Sequence, residues 1–324
     1  MIAFALRLIF LASLGSMAVA PARAQLAPAG DFHQHLFSEP IVALAGPAAG
    51  LKPLSAPGLV ALLDAAGIRK AVLLSTAYMY GSPQRQVEDE YARVRKENDW
   101  TGAQAALYPD RLLAFCGIAP LKDYALKEIA RCAGQPHLKR GIKLHLGNSD
   151  VQLGRPDHVA RLRQVFAAAN ARGMAIVVHL RANIGKKRPY GAREANIFLE
   201  QVLPAAPDVV VQVAHLAGTG PGFEDPPARD VLAVLAQAMQ RKHPATRQLW
   251  FDVASVADPA LMPEAAALMV QRIRQIGTAR VLYGSDSAQG GNLRPREAWA
   301  VFRKLPLGEA ELRQIAGNVP PYCR

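Results

Sequence analysis

Six residues lie in or at the ends of short apolar runs and carry the chemistry open to this chain: His33, His35, Lys143, His179, His215 and Asp286. Side chains two apart on a strand share a face, so His33 and His35 can clamp one ion together. A His-x-His pair alone is a weak signal. Joined by further imidazoles and a carboxylate, it describes a site for a divalent first-row metal such as zinc, with one position left for water in a catalytic centre.

The elements that must position these groups follow from the hydrophobic pattern. Eight apolar runs, at 31–36, 70–75, 112–118, 141–145, 175–179, 209–215, 249–253 and 280–286, read as buried parallel strands. Amphipathic segments at 56–66, 88–107, 157–172, 228–240 and 259–276 read as helices between them. Eight strands alternating with helices predict an α/β protein with a single-domain (β/α)8 barrel, whose strand ends open onto one catalytic face. A doubly wound open sheet is the competing architecture, but no glycine-rich phosphate turn follows the first strand. Five of the eight histidines, His33, His35, His145, His179 and His215, fall at C-terminal strand ends. Scattered placement would not do this. His137, His158 and His243 fall in loops or helices.

Residues 1–24 combine Arg7, an apolar stretch at 8–20 and an Ala22-Arg23-Ala24 end, the pattern of a secretory signal peptide. On this reading the mature chain is a single domain over 25–324, exported to the periplasm or secreted, with no stable membrane anchor after cleavage. An uncleaved N-terminal anchor is the alternative. The net charge of +12 becomes +10 once Arg7 and Arg23 are gone, leaving 36 basic and 26 acidic residues. The basic residues are dispersed, the longest run being Lys186-Lys187-Arg188, and no aromatic-basic interleaving grips a single strand, so nucleic acid is not an expected partner. Three cysteines, Cys116, Cys132 and Cys323, are too few for a disulfide framework, and their odd number leaves at least one without a partner in the chain. Cys116 reads as a small core residue.

Together these residues resemble the amidohydrolase superfamily, and within it the branch that includes aminocarboxymuconate semialdehyde decarboxylase, resorcylate-type decarboxylases and pyrone dicarboxylate lactonase. The likeness spans nearly the whole mature chain. It is carried by Asp31-Phe32-His33-Gln34-His35, Glu97-Asn98-Asp99-Trp100, Tyr108-Pro109-Asp110-Arg111 and Gly141-Ile142-Lys143-Leu144-His145. Further on it is carried by Val178-His179, Ala214-His215-Leu216-Ala217-Gly218, Tyr283-Gly284-Ser285-Asp286 and Ala316-Gly317-Asn318.

The resemblance implies one divalent metal, zinc by expectation, held by His33, His35, His179 and Asp286. The ion would acidify a water, Asp286 would take the proton, and His215 would polarise a carbonyl or shuttle that proton, unless it only packs beside the site. Lys143 is a charged pocket residue, or a carboxylated bridge between two metals as in binuclear relatives. His145 would be a substrate contact nearer the mouth. Arg181, two residues beyond His179, would grip a substrate carboxylate or else face solvent; Asp252 is a second rim residue for substrate. The segment 76–86, with Tyr78, Tyr80 and Gly81, forms a lid, a pocket wall or a plain surface loop. The expected activity is hydrolysis of a small anionic amide, lactone or ester. The alternatives are a nonoxidative decarboxylase and, from another class, a binding protein that turns nothing over. The resemblance also allows a homodimer.

Overall fold

A computed structural model describes residues 26–220, 223–287 and 291–324; the signal-peptide reading falls outside these residues. Eight parallel strands pair in chain order: β1 Gly30–Gln34, β2 Lys70–Leu74, β3 Leu112–Ile118, β4 Gly141–His145, β5 Ala175–His179, β6 Val211–Val213, β7 Leu249–Asp252 and β8 Val281–Leu282. The last is short, and the barrel closes through two backbone bonds just beyond its end. Phe32 N–H donates to Tyr283 O at 2.9 Å, and Asp286 N–H donates to His33 O at 3.0 Å. The expected (β/α)8 barrel is the observed fold.

Helices α1 Glu39–Ala45, α2 Ala56–Ala66, α3 Glu90–Ala106, α4 Ala125–Ala133 and α5 Pro156–Asn170 cover the first half of the barrel. The second half carries α6 Ala192–Ile197, α7 Pro226–Gln240, α8 Pro263–Ile276, α9 Pro295–Phe302 and α10 Glu309–Gly317. The sequence dictates such helices locally. In α2, Pro57 occupies the first turn, where its missing N–H costs nothing, and Leu59, Val60 and Leu63 form the buried stripe. Gly67 ends it at φ 69°, a left-handed conformation that a residue with a Cβ adopts only at a cost.

Strand alternation divides the core in two. Phe32, Val72, Phe115, Val177 and Leu282 pack inside the barrel, with Tyr322 among them. Ile142, Leu144, Ile176, Val178 and Phe251 point outward to the helices. In β1 the three steps from Asp31 to Gln34 match only two on β2, Ala71 to Leu73. This bulge re-aims the strand, so that His33 and His35 can face the interior that Phe32 already occupies.

Cys116 is not a lone core thiol. It lies on the outward face of β3 and is disulfide-bonded to Cys132 of α4, with a Cα–Cα separation of 6.5 Å; Cys323 is free. The pairing depends on α4, a helix the hydrophobic pattern had not supplied. The bond closes a loop of 16 residues, so replacing both cysteines with alanine is expected to lower unfolding free energy by about 3 kcal/mol. Denaturant melts of the oxidised protein and the variant check this.

Candidate metal centre at the C-terminal rim

Three imidazoles are oriented by what their Nδ1 atoms do. His35 Nδ1 lies 2.6 Å from Leu74 O and His215 Nδ1 lies 3.1 Å from Ala254 O. A carbonyl can only accept, so both Nδ1 atoms donate and each Nε2 keeps its lone pair. His33 Nδ1 sits 2.9 Å from Asp252 Oδ2. Burial would raise the Asp252 carboxyl, but His33 and His215 hold it far below the usual range, so it accepts here too. The three Nε2 atoms then turn towards one carboxylate: Asp286 Oδ1 is 3.6 Å from His35 and 3.9 Å from His33, and Oδ2 is 3.9 Å from His215.

Burial keeps these rings neutral. It pushes His33 down and His35 and His179 well down, and lowers His215 to about 3; positive charge on Lys143 adds to each shift. Neutral imidazole is the ligating form. Donor atoms of His33, His35 and Asp286 lie within 4.8 Å of one another, a set of nitrogen and oxygen donors that fits a divalent cation. His179, at the end of β5, stands further round the rim. Its ring stacks on His145 at 3.8 Å between centroids and lies 5.2 Å from that of His215, and its donor atoms belong to neither His/Asp cluster.

Asp252 groups with His33 and His215, yet its role is different. Its Oδ2 accepts from His33 Nδ1 and from Gln212 Nε2 at 2.7 Å, while Oδ1 accepts from the N–H groups of His215 and Ala254 at 2.9 and 3.1 Å. Those four donors occupy the acceptor capacity of a carboxylate. Asp252 is fully buried, so the expectation of a substrate-facing rim residue is corrected: it orients the ring that faces Asp286. An Asp252→Asn variant should therefore hold metal about 10–100-fold more weakly, as competition with a chelator would measure.

Left-handed backbone surrounds the centre. His215, Leu216 and Ala217 have φ of 55°, 49° and 69°, and Asp286 has φ 50°. Such conformations cost about 1–3 kcal/mol each for residues other than glycine. The turn at 215–217 is held by Asp252, which accepts from His215 N–H, and by the Tyr190 hydroxyl, which donates to Ala217 O at 2.6 Å. The sixth strand, expected to run to His215, ends at Val213 ahead of this turn, and the eighth, expected to run to Asp286, ends at Leu282. Gly284 is required where β8 meets β1, since a Cβ there would lie 2.8 Å from that of His33.

Lys143 is buried, with Nζ 3.3 Å from His33 Nε2. Burial lowers its ammonium to about 8, against the pull of Asp286 and Asp252. Above the centre opens a cavity of about 460 Å3, whose lining includes Tyr78, Arg85, His145, Asn148, Asp286 and Asn292. The segment 76–86 thus supplies a wall: Tyr78 is buried, its ring 5.2 Å from that of His145, and Asn148 Nδ2 donates to its carbonyl at 2.9 Å.

Arg181 neither grips this cavity nor faces solvent. Its Nε donates to Asp225 Oδ2 at 2.5 Å and its Nη2 to Oδ1 at 3.2 Å, with the guanidinium 4.7 Å above the Tyr190 ring. Period-two alternation places it correctly only while the strand continues, and β5 stops at His179. Arg85 is the cation that sequence reasoning missed. It lies in a polar loop without periodicity, its Nη1 donates to Met79 O at 3.4 Å, and among the described residues no carboxylate pairs with it.

A closed eight-stranded parallel barrel with imidazole and carboxylate donors at its C-terminal rim defines the class of metal-dependent (β/α)8 enzymes. Residues 31–318 match the sequence model of the amidohydrolase family, and the chain belongs to that family and is an enzyme. No curated protein matches it in sequence. Similar solved structures include 5-carboxyvanillate decarboxylase from Sphingomonas paucimobilis, 16% identical with a TM-score of 0.62 over 90% of this chain and 97% of that one. Dihydroxybenzoic acid decarboxylase from Polaromonas sp. JS666, solved with manganese and the inhibitor 2-nitroresorcinol, is 15% identical with a TM-score of 0.61 over 90% and 95%. A probable 2-pyrone-4,6-dicarboxylic acid hydrolase from Acinetobacter baumannii, with citric acid bound, is 17% identical with a TM-score of 0.55 over 89% and 96%. At these identities the likeness is one of fold.

Proposed function

We propose that the protein is a metal-dependent hydrolase of a small carbonyl compound, an amide, lactone or ester carrying a carboxylate. The donors of His33, His35 and Asp286 already converge on one divalent ion, zinc or manganese, and His179 from β5 completes the set that the family resemblance implies. When bound, the ion supplies a Lewis acid that polarises a carbonyl and acidifies water. The observation that carries this reading is the pair of bases facing one point: Asp286, and His215 with its Nδ1 proton committed to Ala254 O. Either can take a proton from water. Lys143 and Arg85 supply positive charge for the substrate carboxylate, and Tyr78 and His145 give the cavity flat walls.

Nonoxidative decarboxylation of a carboxylated ring or enol is supported at least as well by the related structures, two of the three above being decarboxylases. The products separate the two. Turnover of lactones, amides and aromatic acids in 18O-labelled water should put label into the product and release no carbon dioxide. Stoichiometric carbon dioxide with solvent deuterium on the product carbon would overturn hydrolysis in favour of decarboxylation.

Export through a signal peptide over residues 1–24 belongs to the same proposal. The Cys116–Cys132 disulfide supports it, because such bonds persist in oxidising compartments. Intact mass of the protein recovered from periplasm or medium should begin the chain at Gln25.

A further inference from the structure

The charge of this chain is distributed unevenly between the two rims of the barrel. At the C-terminal rim, the connections leaving β2 to β8 for the following helices (residues 75–89, 119–124, 146–155, 180–191, 214–225, 253–262 and 283–294) contain eight basic and eight acidic residues. At the N-terminal rim, the connections entering β2 to β8 (residues 67–69, 107–111, 134–140, 171–174, 206–210, 241–248 and 277–280) contain nine basic and two acidic residues. Arg111 pairs with Asp64 and Arg247 with Asp208. Among the described residues, Arg69, Lys139, Arg140, Arg172 and Lys242 are exposed and have no ion-pair partner.

Helix dipoles favour cations at helix C-termini, which point to this rim, but α2, α3, α5 and α7 carry no basic residue in their last turn. The excess lies beyond the helices, in the loops.

Two further features share this face. A cavity of about 790 Å3 opens here, with Pro204, Pro207 and Ile276 in its walls and Lys242, Arg247 and Arg280 among its lining. The chain also enters the fold on this side: Ala27 lies beside Gly67, and Gly30 pairs with Lys70 at the base of β2.

We propose that the N-terminal rim is a docking surface for an anionic phospholipid bilayer. The loop cations meet lipid phosphates, and the apolar-walled cavity with its basic lining receives part of one lipid. The active-site mouth, on the opposite rim, then faces the aqueous phase. Nucleic acid fits less well, since phosphate-tracking surfaces pair their cations with exposed aromatic platforms, and Trp250 and Tyr322 on this side are buried.

Co-sedimentation of the metal-loaded protein, as the full chain and as the chain beginning at Gln25, tests this with phosphatidylcholine vesicles with and without phosphatidylglycerol. Both forms should pellet with the anionic vesicles at about 0.1 M salt and be released at about 1 M. The combined variant Lys139→Glu, Arg140→Glu, Lys242→Glu, Arg247→Glu should bind about tenfold or more weakly with an unchanged melting temperature. The milder pair Lys139→Gln, Arg140→Gln should give a smaller loss, and carries the test if the combined variant does not fold. Failure to pellet at low salt, equal binding to neutral vesicles, or undiminished binding by a folded variant would overturn the proposal. So would tighter binding to duplex DNA than to anionic vesicles, which would give the face to nucleic acid.

Discussion

Purified protein is expected to carry about one divalent ion per chain, and the His33→Ala variant about a tenth of that or less. The expectation rests on where the His33 ring sits. Its Nε2 is one of the nitrogens turned towards Asp286, and its Nδ1 is tied to a carboxylate that also holds the His215 loop. Removing the ring deletes a donor and frees the Asp252 carboxylate, so both the ion and the neighbouring base lose their positions. In parallel, Asp286→Asn should lower kcat/KM by about 10³-fold, because an amide cannot accept the proton and ligates more weakly. Elemental analysis of both variants, with turnover measured at saturating metal, checks the pair. Full metal content in His33→Ala would remove this ring from the site.

A large effect on stability is expected away from the rim as well. Asn98 on α3 accepts from Gly117 N–H at 2.8 Å and donates to Gly117 O at 3.2 Å, as a neighbouring strand would, and donates again to Glu128 Oε1 at 2.8 Å. Gly117 itself has no room for a side chain, since a Cβ would lie 2.5 Å from Ser75 O. Asn98→Leu keeps the volume and removes every one of these bonds inside a fully buried network. The expected loss is about 3 kcal/mol, read as a lower denaturant midpoint at unchanged slope. The motif Glu97-Asn98-Asp99-Trp100, which contributed to the family resemblance, is thus structural in part: it stitches α3 to β3 and α4. Glu97 does the same toward the segments that follow β1 and β2, accepting from Ser38 at 2.6 Å and from Thr76 at 3.4 Å.

What the sequence disclosed tracks where backbone regularity holds. Strands β3, β4 and β5 run as their apolar periodicity predicts, and Lys143, His145 and His179 lie where alternation places them. Reading failed where the chain leaves strand geometry. Left-handed residues at 215–217 follow a short β6, β8 ends at Leu282 well before Asp286, and the end of β5 turns Arg181 to a protein carboxylate instead of a ligand. Asp252 was found as a residue and misjudged in direction, because alternation points it inward without revealing that four donors wait there. Arg85 had no signal at all, being one cation in an aperiodic loop. Cys132 needed α4 to bring it to Cys116, and a segment rich in charge concealed that helix.

One of the bonds that close the barrel runs from Asp286 N–H to His33 O. It is part of the seam that completes the ring of strands, and its two ends are the residues that bear a proposed ligand oxygen and a proposed ligand nitrogen. The ring cannot part at this point without also separating those donors. Local opening of the seam is then expected to release a bound ion as well. The exchange of the Asp286 amide with solvent deuterium would report, in a single signal, how often both occur.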